Sequence, residues 1–500
     1  MRHEEPVDRI EAWGGSEDRP EDRKPTWDSL DSRPLPDWYD EGKFGIFMHW
    51  GAYSSPAFRS EWLWYYWKGK NEPDVLEYIR SNYPPRTTYA DFVKMFKGEF
   101  FDADMFREIV EASGAKYFVF TTKHHEGFTM WPSSVSWNWN SMNIGPKRDI
   151  VGELQKAFSK SDVHFGLYYS LFEWYHPLFD QDLAKNTTEY RDKISFPQLL
   201  DIVNKYQPDI LWGDGDWGLD ENYWKTKEFI TWLYNESPVK DRVVINDRWG
   251  DGTIGKHGGY MTYADNYQAG ELLERKWENC DSVDQWSWGY RRTMNVSELL
   301  TAHDVIAELA RTISCNGNFL LNVGPDSSGM IPTIFEARLR ETGDFIKANA
   351  EAVYGTKAWV HQNDTNNIWY TSRLRDDKNL RKNRSSNPQD EENTIIYVWI
   401  LDLNQTVYTL EKVSIGERTK VSILSTETPL DISIGETGQL VVSMSKIPWQ
   451  SLVRTDCLVL KIEYAKGETP QTPETPKKSA ILEKYNLFSL LLLISLSKCF

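Results

Sequence analysis

Cysteine is scarce: Cys280, Cys315, Cys457 and Cys499 are the only four in 500 residues, and none has C-x-x-C spacing. That argues against a disulfide-framed scaffold and against a thiolate zinc site. Positive charge is also short. Lys and Arg number 57 against 74 Asp and Glu, a net charge of −17, the wrong sign for binding a phosphate backbone, so no nucleic-acid partner is expected. Residues 1–15 are charged and lack an apolar segment, so they do not read as a signal peptide. Leu487–Ser495 is apolar but about half the length needed to cross a bilayer, so no stable membrane span is expected. With the Pro/Thr linker of 466–478 before it, this tail reads as unstructured in preference to a lipid-anchor signal. No G-x-G-x-x-G follows the first strand and no G-x-x-x-x-G-K-[ST] occurs, which disfavours a nucleotide fold. No cofactor and no metal is expected. The adjacent His124 and His125 would point to opposite faces of an extended strand, a poor ligand spacing.

What the chain has is aromatic rings, 23 Trp and 25 Tyr. Such rings fill cores, and they also offer the flat faces on which sugars stack. Hydrophobic content of 40% and charged content of 26% are ordinary for a soluble globular protein of two or three domains. Asn-x-Ser/Thr sequons stand at Asn186, Asn235, Asn295, Asn363, Asn383 and Asn404, which favours a secreted or lysosomal route with glycosylation there.

Residues 1–26 are acidic and non-periodic and read as a disordered lead-in. From 27 to 355, apolar strands alternate with helical periods. Strands are predicted at 43–51, 115–122, 163–170, 210–212, 242–246 and 318–323, with helices at 102–113, 150–159, 196–205, 226–234, 298–314 and 334–350. Polar or aromatic residues recur at strand ends: His49, His124 and His125, Tyr168, Asp214, Arg248. Contributions from many strands favour a closed TIM-like (β/α) barrel over an open sheet, whose ligands gather at one switch point. Residues 356–465 carry short β-branched runs with no helical period between them, which predicts an antiparallel β-sandwich, with an exposed loop at 373–392. The linker and tail occupy 466–500.

The run Ile210–Trp212 stops abruptly in Gly213-Asp214-Gly215-Asp216. Glycine leaves room for a substrate to approach a carboxylate closely. Two carboxyl groups, one nucleophile and one proton donor, are the minimum for retaining glycoside hydrolysis. Asp214, Asp216, Asp247, Asp265, Glu278, Glu61 and Glu126 all stand at strand ends or in the loops after them. Position after the apolar run favours Asp214 as one of the pair, and leaves the acid open.

Phe44 to Gly51, Thr122 to Phe128, Gly145 to Asp149, Asn246-Asp247-Arg248-Trp249-Gly250, Lys276-Trp277-Glu278-Asn279-Cys280, Ser287 to Tyr290 and Leu320 to Pro325 together resemble the α-L-fucosidase family, family 29 of the glycoside hydrolases, in the family's order. The texture is nearest the animal lysosomal and secreted members. The resemblance implies a retaining exo-glycosidase that removes terminal α-L-fucose from glycoproteins, glycolipids and oligosaccharides. It implies Asp214 as nucleophile. For the acid/base, Asp265 matches a position where bacterial relatives carry Glu and is preferred, and Glu278 is the alternative. Aspartate there has a shorter reach, and Ala269 stands near the place of a usual proline. The resemblance places His49, Glu61, Trp62, His124, His125, Tyr168, Trp212, Arg248 and Trp288 around the sugar. Trp288 would wall off its methyl group. Cys280 is a possible site residue, with a buried inert thiol the preferred reading. Asp216 becomes a supporting or solvated carboxylate. Fucosylated glycans are the expected partners, and a homo-oligomer, a tetramer by resemblance, is expected. A catalytically silent fucose-binding paralogue is the alternative function. A galactosidase would need space for a hydroxyl where Trp288 closes the wall.

Overall fold

The structure is a computed structural model, and it describes residues 22–375, 394–447 and 456–465. Most of the expected lead-in, residues 376–392 of the expected loop with Asn383, the linker, and the tail with Cys499 lie outside the described residues, while Arg373 and Leu374, expected in that loop, end a strand.

Seven parallel strands build the N-terminal part: β1 (Phe44–Met48), β2 (Tyr117–Lys123), β3 (His164–Ser170), β4 (Ile210–Asp214), β5 (Val244–Ile245), β6 (Trp277–Ser282) and β7 (Gly317–Val323). Their order is β5-β4-β3-β2-β1-β7-β6. The strands are buried on both faces, as parallel strands covered by helices must be. The curled sheet is joined by an eighth segment. Gly259 N and Tyr260 N donate to Ile245 O of β5, and Met261 pairs in parallel with Trp277 of β6. This completes the ring of a TIM-like barrel without a regular eighth strand.

Each wall element sends a side chain inward. Phe47, Val119, Tyr168, Ile210, Trp212, Val244, Tyr260, Cys280 and Leu320 form one buried cluster. Tyr39, from the helix Asp37–Gly42, joins this cluster and stacks on Tyr260 at 4.6 Å. The interior is therefore a packed core, which confines chemistry to the C-terminal mouth.

The strand β6 differs from expectation, since Trp-Glu-Asn-Cys-Asp-Ser has neither an apolar run nor β-branched residues. Its inward residues include Glu278 and Cys280, so the usual apolar signal is absent. The aromatic segment after Glu61 contains a π-helical turn over Tyr65–Lys70.

The strands β8 (Lys357–Asp364), β9 (Ile368–Leu374), β10 (Thr394–Ile400), β11 (Val407–Ser414), β12 (Lys420–Ile423), β13 (Ile432–Ile434), β14 (Gln439–Ser443) and β15 (Leu458–Glu463) follow. They form a five-stranded sheet, β12-β15-β10-β9-β8, and a three-stranded sheet, β11-β14-β13, with antiparallel pairing. Inward residues of both, among them Tyr370, Val398, Leu460, Leu410 and Val442, share one core. That is a β-sandwich. No helix among the described residues is long and apolar enough to cross a membrane.

Candidate active site

Asp214 ends β4 at the barrel mouth. Tyr168 OH donates to its Oδ2 at 2.6 Å, and Arg248 Nη1 donates to its Oδ1 at 3.4 Å. The flanking glycines serve the backbone rather than a ligand. A Cβ on Gly213 would lie 2.5 Å from Arg248 O, and Gly215 takes φ +69°.

Arg248 organises the mouth. Nη2 donates to Asp265 Oδ1 at 2.5 Å and Nε to Thr262 Oγ1 at 2.9 Å, with the guanidinium 4.7 Å above the Trp212 ring. One planar cation thus holds Asp214 and Asp265 together. Thr262 is held in turn by Asp247, whose Oδ1 accepts from Thr262 N and Oγ1 and whose Oδ2 accepts from Gly255 N. Asp247 therefore shapes the loop that carries Asp265. Asn266 N donates to Cys280 O and ties the same loop to β6.

Two imidazoles are fixed as acceptors toward the mouth. Asn322 Nδ2 donates to Trp288 O and Ser282 Oγ, so its Oδ1 must accept from His49 Nδ1, at 2.8 Å. That tautomer leaves His49 Nε2 with a lone pair. Burial, aided by His124, pulls His49 down to about 3, so it is neutral. Ser170 Oγ donates to Phe172 O and therefore accepts from His125 Nδ1 at 2.7 Å. The lone pair of His125 Nε2 then faces Asp214, 3.6 Å from Oδ2. Burial first, then His124, holds His125 well below its usual range. Neutral acceptors at these places suit hydroxyl ligands.

The expectation that His124 and His125 point to opposite faces does not hold. Both lie just past the end of β2, in a turn, with ring centroids 4.1 Å apart. His124 approaches His49 at 5.9 Å and Tyr168 at 6.0 Å. Its Nδ1 lies 3.6 Å from Glu126, whose Oε2 is buried without a hydrogen bond.

Aromatic side chains wall the mouth. Trp62 lies against His125, Trp174 and Trp217 at 5.3, 4.9 and 6.0 Å. Trp288 lies 5.4 Å from His49. Glu61 anchors this wall: its Oε2 accepts from Trp288 N, Gly289 N and Ser287 Oγ. Trp174, Trp217, Thr262, Ser170 and Asn322 were not singled out from sequence, although Asn322 stands within one of the motifs quoted.

Glu278 is elsewhere. It is fully buried inside the barrel, where Trp212 Nε1, Tyr117 OH and Tyr39 OH donate to it at 3.0, 2.8 and 2.9 Å. Burial outweighs these donors and pushes its carboxyl up to about 7. Cys280, two residues on, faces the underside of the mouth with Sγ 3.7 Å from Asp265 Oδ1. Burial, with Asp265 adding, raises this thiol well above its usual value. Such a thiol is a poor nucleophile. Asp216 is buried, not solvated. Desolvation pushes it up to about 7 against the pull of Arg248, with Asp214 adding to the rise.

The sequon side chains of Asn186, Asn295, Asn363 and Asn404 are exposed, and Asn235 is partly covered by its hydrogen bonds to the Arg23 backbone. Among the described residues, His303, Asp456 and Cys457 bring ligand-type atoms within 4.8 Å of one another. They sit on the helix Ala302–Ser314 and at the start of β15, outside the mouth, and His303 is engaged by Asp456 and Asp402.

The α-L-fucosidase family model matches residues 14–351, which span the barrel and every residue of the mouth. The chain belongs to the α-L-fucosidase family. It is similar to the plasma alpha-L-fucosidase of Homo sapiens, 51% identical over 354 residues, which cover 70% of this chain and 76% of the relative. The tissue alpha-L-fucosidase of Homo sapiens is 48% identical over 353 residues, 70% of this chain and 76% of its own. Among solved structures, the Thermotoga maritima alpha-fucosidase in complex with fucose superposes with TM-score 0.71 at 29% identity, covering 88% of this chain and all of that one. As a member of the α-L-fucosidase family the chain is a glycoside hydrolase, and its mouth carries two carboxylates joined by one arginine.

Proposed function

We propose that this chain hydrolyses terminal α-L-fucosides with net retention, with Asp214 as nucleophile and Asp265 as acid/base. The observation that carries the reading is the bridging of Asp214 and Asp265 by Arg248 at the barrel mouth. A shared guanidinium supports the close pairing of a retaining site, about 5–5.5 Å, over the wider gap, about 6.5–9.5 Å, that admits a water between carboxyls. Asp214 would attack the anomeric carbon while Asp265 protonates the departing oxygen. Asp265, now a base, would then take a proton from the water that releases fucose. Asp265 has a side chain 48% exposed, against 12% for Asp214, as suits a group that meets both leaving group and water. Glu278 is fully buried and engaged by Trp212, Tyr117 and Tyr39, which favours Asp265 for the acid/base role.

His49, His124, His125, Tyr168, Glu61 and Arg248 would hold the sugar's hydroxyls, and Trp62, Trp212 and Trp288 its apolar surface. Fucosylated glycoproteins, glycolipids and oligosaccharides are the proposed substrates. A lysosomal or secreted location is proposed from the plasma and tissue relatives and the sequons, with glycans at Asn186, Asn235, Asn295, Asn363, Asn383 and Asn404. We also propose the division into a catalytic domain at 27–355 and a β-sandwich domain at 356–465, and a homo-oligomeric state.

Replacing Asp214 with Gly tests the reading. Turnover of an aryl α-L-fucoside should fall on the order of 10⁴-fold, with the thermal unfolding midpoint little changed. Added azide should restore turnover and yield the β-fucosyl azide, since it attacks from the vacated nucleophile's side. Near-normal rates without azide would remove Asp214 from the role.

A further inference from the structure

Displacement at the anomeric carbon proceeds in line, so the leaving group departs on the side away from the nucleophile. Asp214 stands on β4. Around the ring, the element opposite β4 is β7, flanked by β1 and β6. A cavity of about 230 Å³ opens there, between the segment after β1 and the segment after β6. It borders Trp62 and Trp288 of the mouth, and Asn266, the residue next to Asp265. Its room suits a single pyranose ring.

The lining has the chemistry of a sugar site. Trp286 is 69% exposed, and its ring makes no ring contact with another described residue. Its open indole lines the cavity and offers a flat apolar face on which a sugar ring can stack. Its backbone is held nonetheless: Trp286 N donates to Asp284 Oδ1, and Asp284 is gripped by Arg291 at 2.6 and 2.7 Å. Gln285 and Asp281 supply polar groups on the same rim, and both also line a second cavity of about 430 Å³ that runs toward the helix Ala302–Ser314. Asp281 is fixed from the other side. With its amide turned to satisfy its neighbours, Asn266 donates to Asp281 Oδ1 at 3.0 Å and to Cys280 O at 3.2 Å.

We propose that this cavity is the leaving-group site, which binds the sugar from which fucose is cut, with Trp286 as its stacking platform. The inference rests on the fucosidase reading and on the roles of Asp214 and Asp265. It makes the protein selective for fucose linked to a carbohydrate over fucose linked to a small leaving group. The second cavity continues the path for a further sugar of the chain.

The test compares two substrates on Trp286→Ala and Trp286→Phe. α-L-Fucosyl fluoride has no leaving-group sugar, whereas fucosyl disaccharides do. In Trp286→Ala, kcat/KM for the disaccharides should fall about tenfold while the fluoride is hydrolysed as before, the loss of one aromatic stacking contact. Trp286→Phe should recover most of it. Equal losses on both substrates would overturn the proposal, because the effect would then lie in the fucose pocket or the fold. No loss on the disaccharides would overturn it as well. Failure of the unsubstituted protein to cleave the fluoride would sink the fucosidase reading itself, and this inference with it.

Discussion

Asp265 and Glu278 are carboxyl groups of the same barrel, and they are held in opposite ways. Asp265 lies on a loop at the mouth, half exposed, and is held by the fixed positive charge of Arg248. Glu278 lies on a strand below it, with no exposed surface, and is held by an indole and two phenols that carry no charge. The first is open to solvent at the mouth. The second holds the Nε1 edge of Trp212, whose face carries Arg248. A carboxyl can therefore serve the site without touching substrate, by fixing the ring on which the organising cation rests. Side-chain type made these two residues equivalent candidates for the proton donor. Partners and solvent access separate them.

The largest test of that separation is Asp265→Ala. Its kcat/KM on fucosyl glycosides with poor leaving groups should fall about 10³-fold, as for the loss of a general acid, and azide should rescue it to an α-fucosyl azide on an activated substrate. The matching variant Glu278→Ala should show no azide rescue. It should instead lose about 3 kcal/mol of unfolding free energy, since Tyr39, Tyr117 and Trp212 would be left as buried donors without their acceptor. Denaturant unfolding read alongside the rates distinguishes the two behaviours. Azide rescue of Glu278→Ala with normal stability would reverse the assignment.

How much of this could be read from sequence differs from element to element. The strands that lead to His49, carry Tyr168 and end in Asp214 are legible because apolar runs stop at polar residues, and such runs mark buried parallel strands. The strand β6 was not, because two of its inward residues are Glu278 and Cys280. A period of two puts them on one face, but says nothing about depth in the barrel. The eighth wall segment, Gly259–Met261, is too short to leave a period. His124 and His125 were misread through the strand rule, which fails where the chain has already turned. Asp216 is buried and feels the charge of Arg248, a residue distant in the chain, which a Gly-Asp-Gly-Asp turn does not reveal. The family motifs located the mouth residues, while the hydrogen bonds that fix their tautomers come from Ser170 and Asn322, whose types alone carry no signal.

The finest test separates the buried carboxyl from the buried imidazoles by the sign of their pH dependence. Glu278 titrates near 7 in the folded chain, above the 4.5 of an unperturbed glutamate. Between these values the folded state holds the extra proton. The stability contribution of Glu278 is therefore complete below about 4.5 and is lost as pH rises through about 7. His49 runs the other way. It titrates near 3 against an ordinary 6.5, so the unfolded chain holds the extra proton and its contribution is lost as pH falls from about 6.5 toward 3. The two slopes oppose each other across their shared window, and the total profile hides both. Subtracting the profile of Glu278→Gln removes the histidine slopes, which are common to both proteins. The stability of the unsubstituted protein relative to Glu278→Gln should then fall between pH 4.5 and 7, by at most about 1.4 kcal/mol per pH unit, the limit for one proton. A flat difference over that window would mean that Glu278 titrates alike in the folded and unfolded chains, and that the uncharged cage of Tyr39, Tyr117 and Trp212 does not hold its proton.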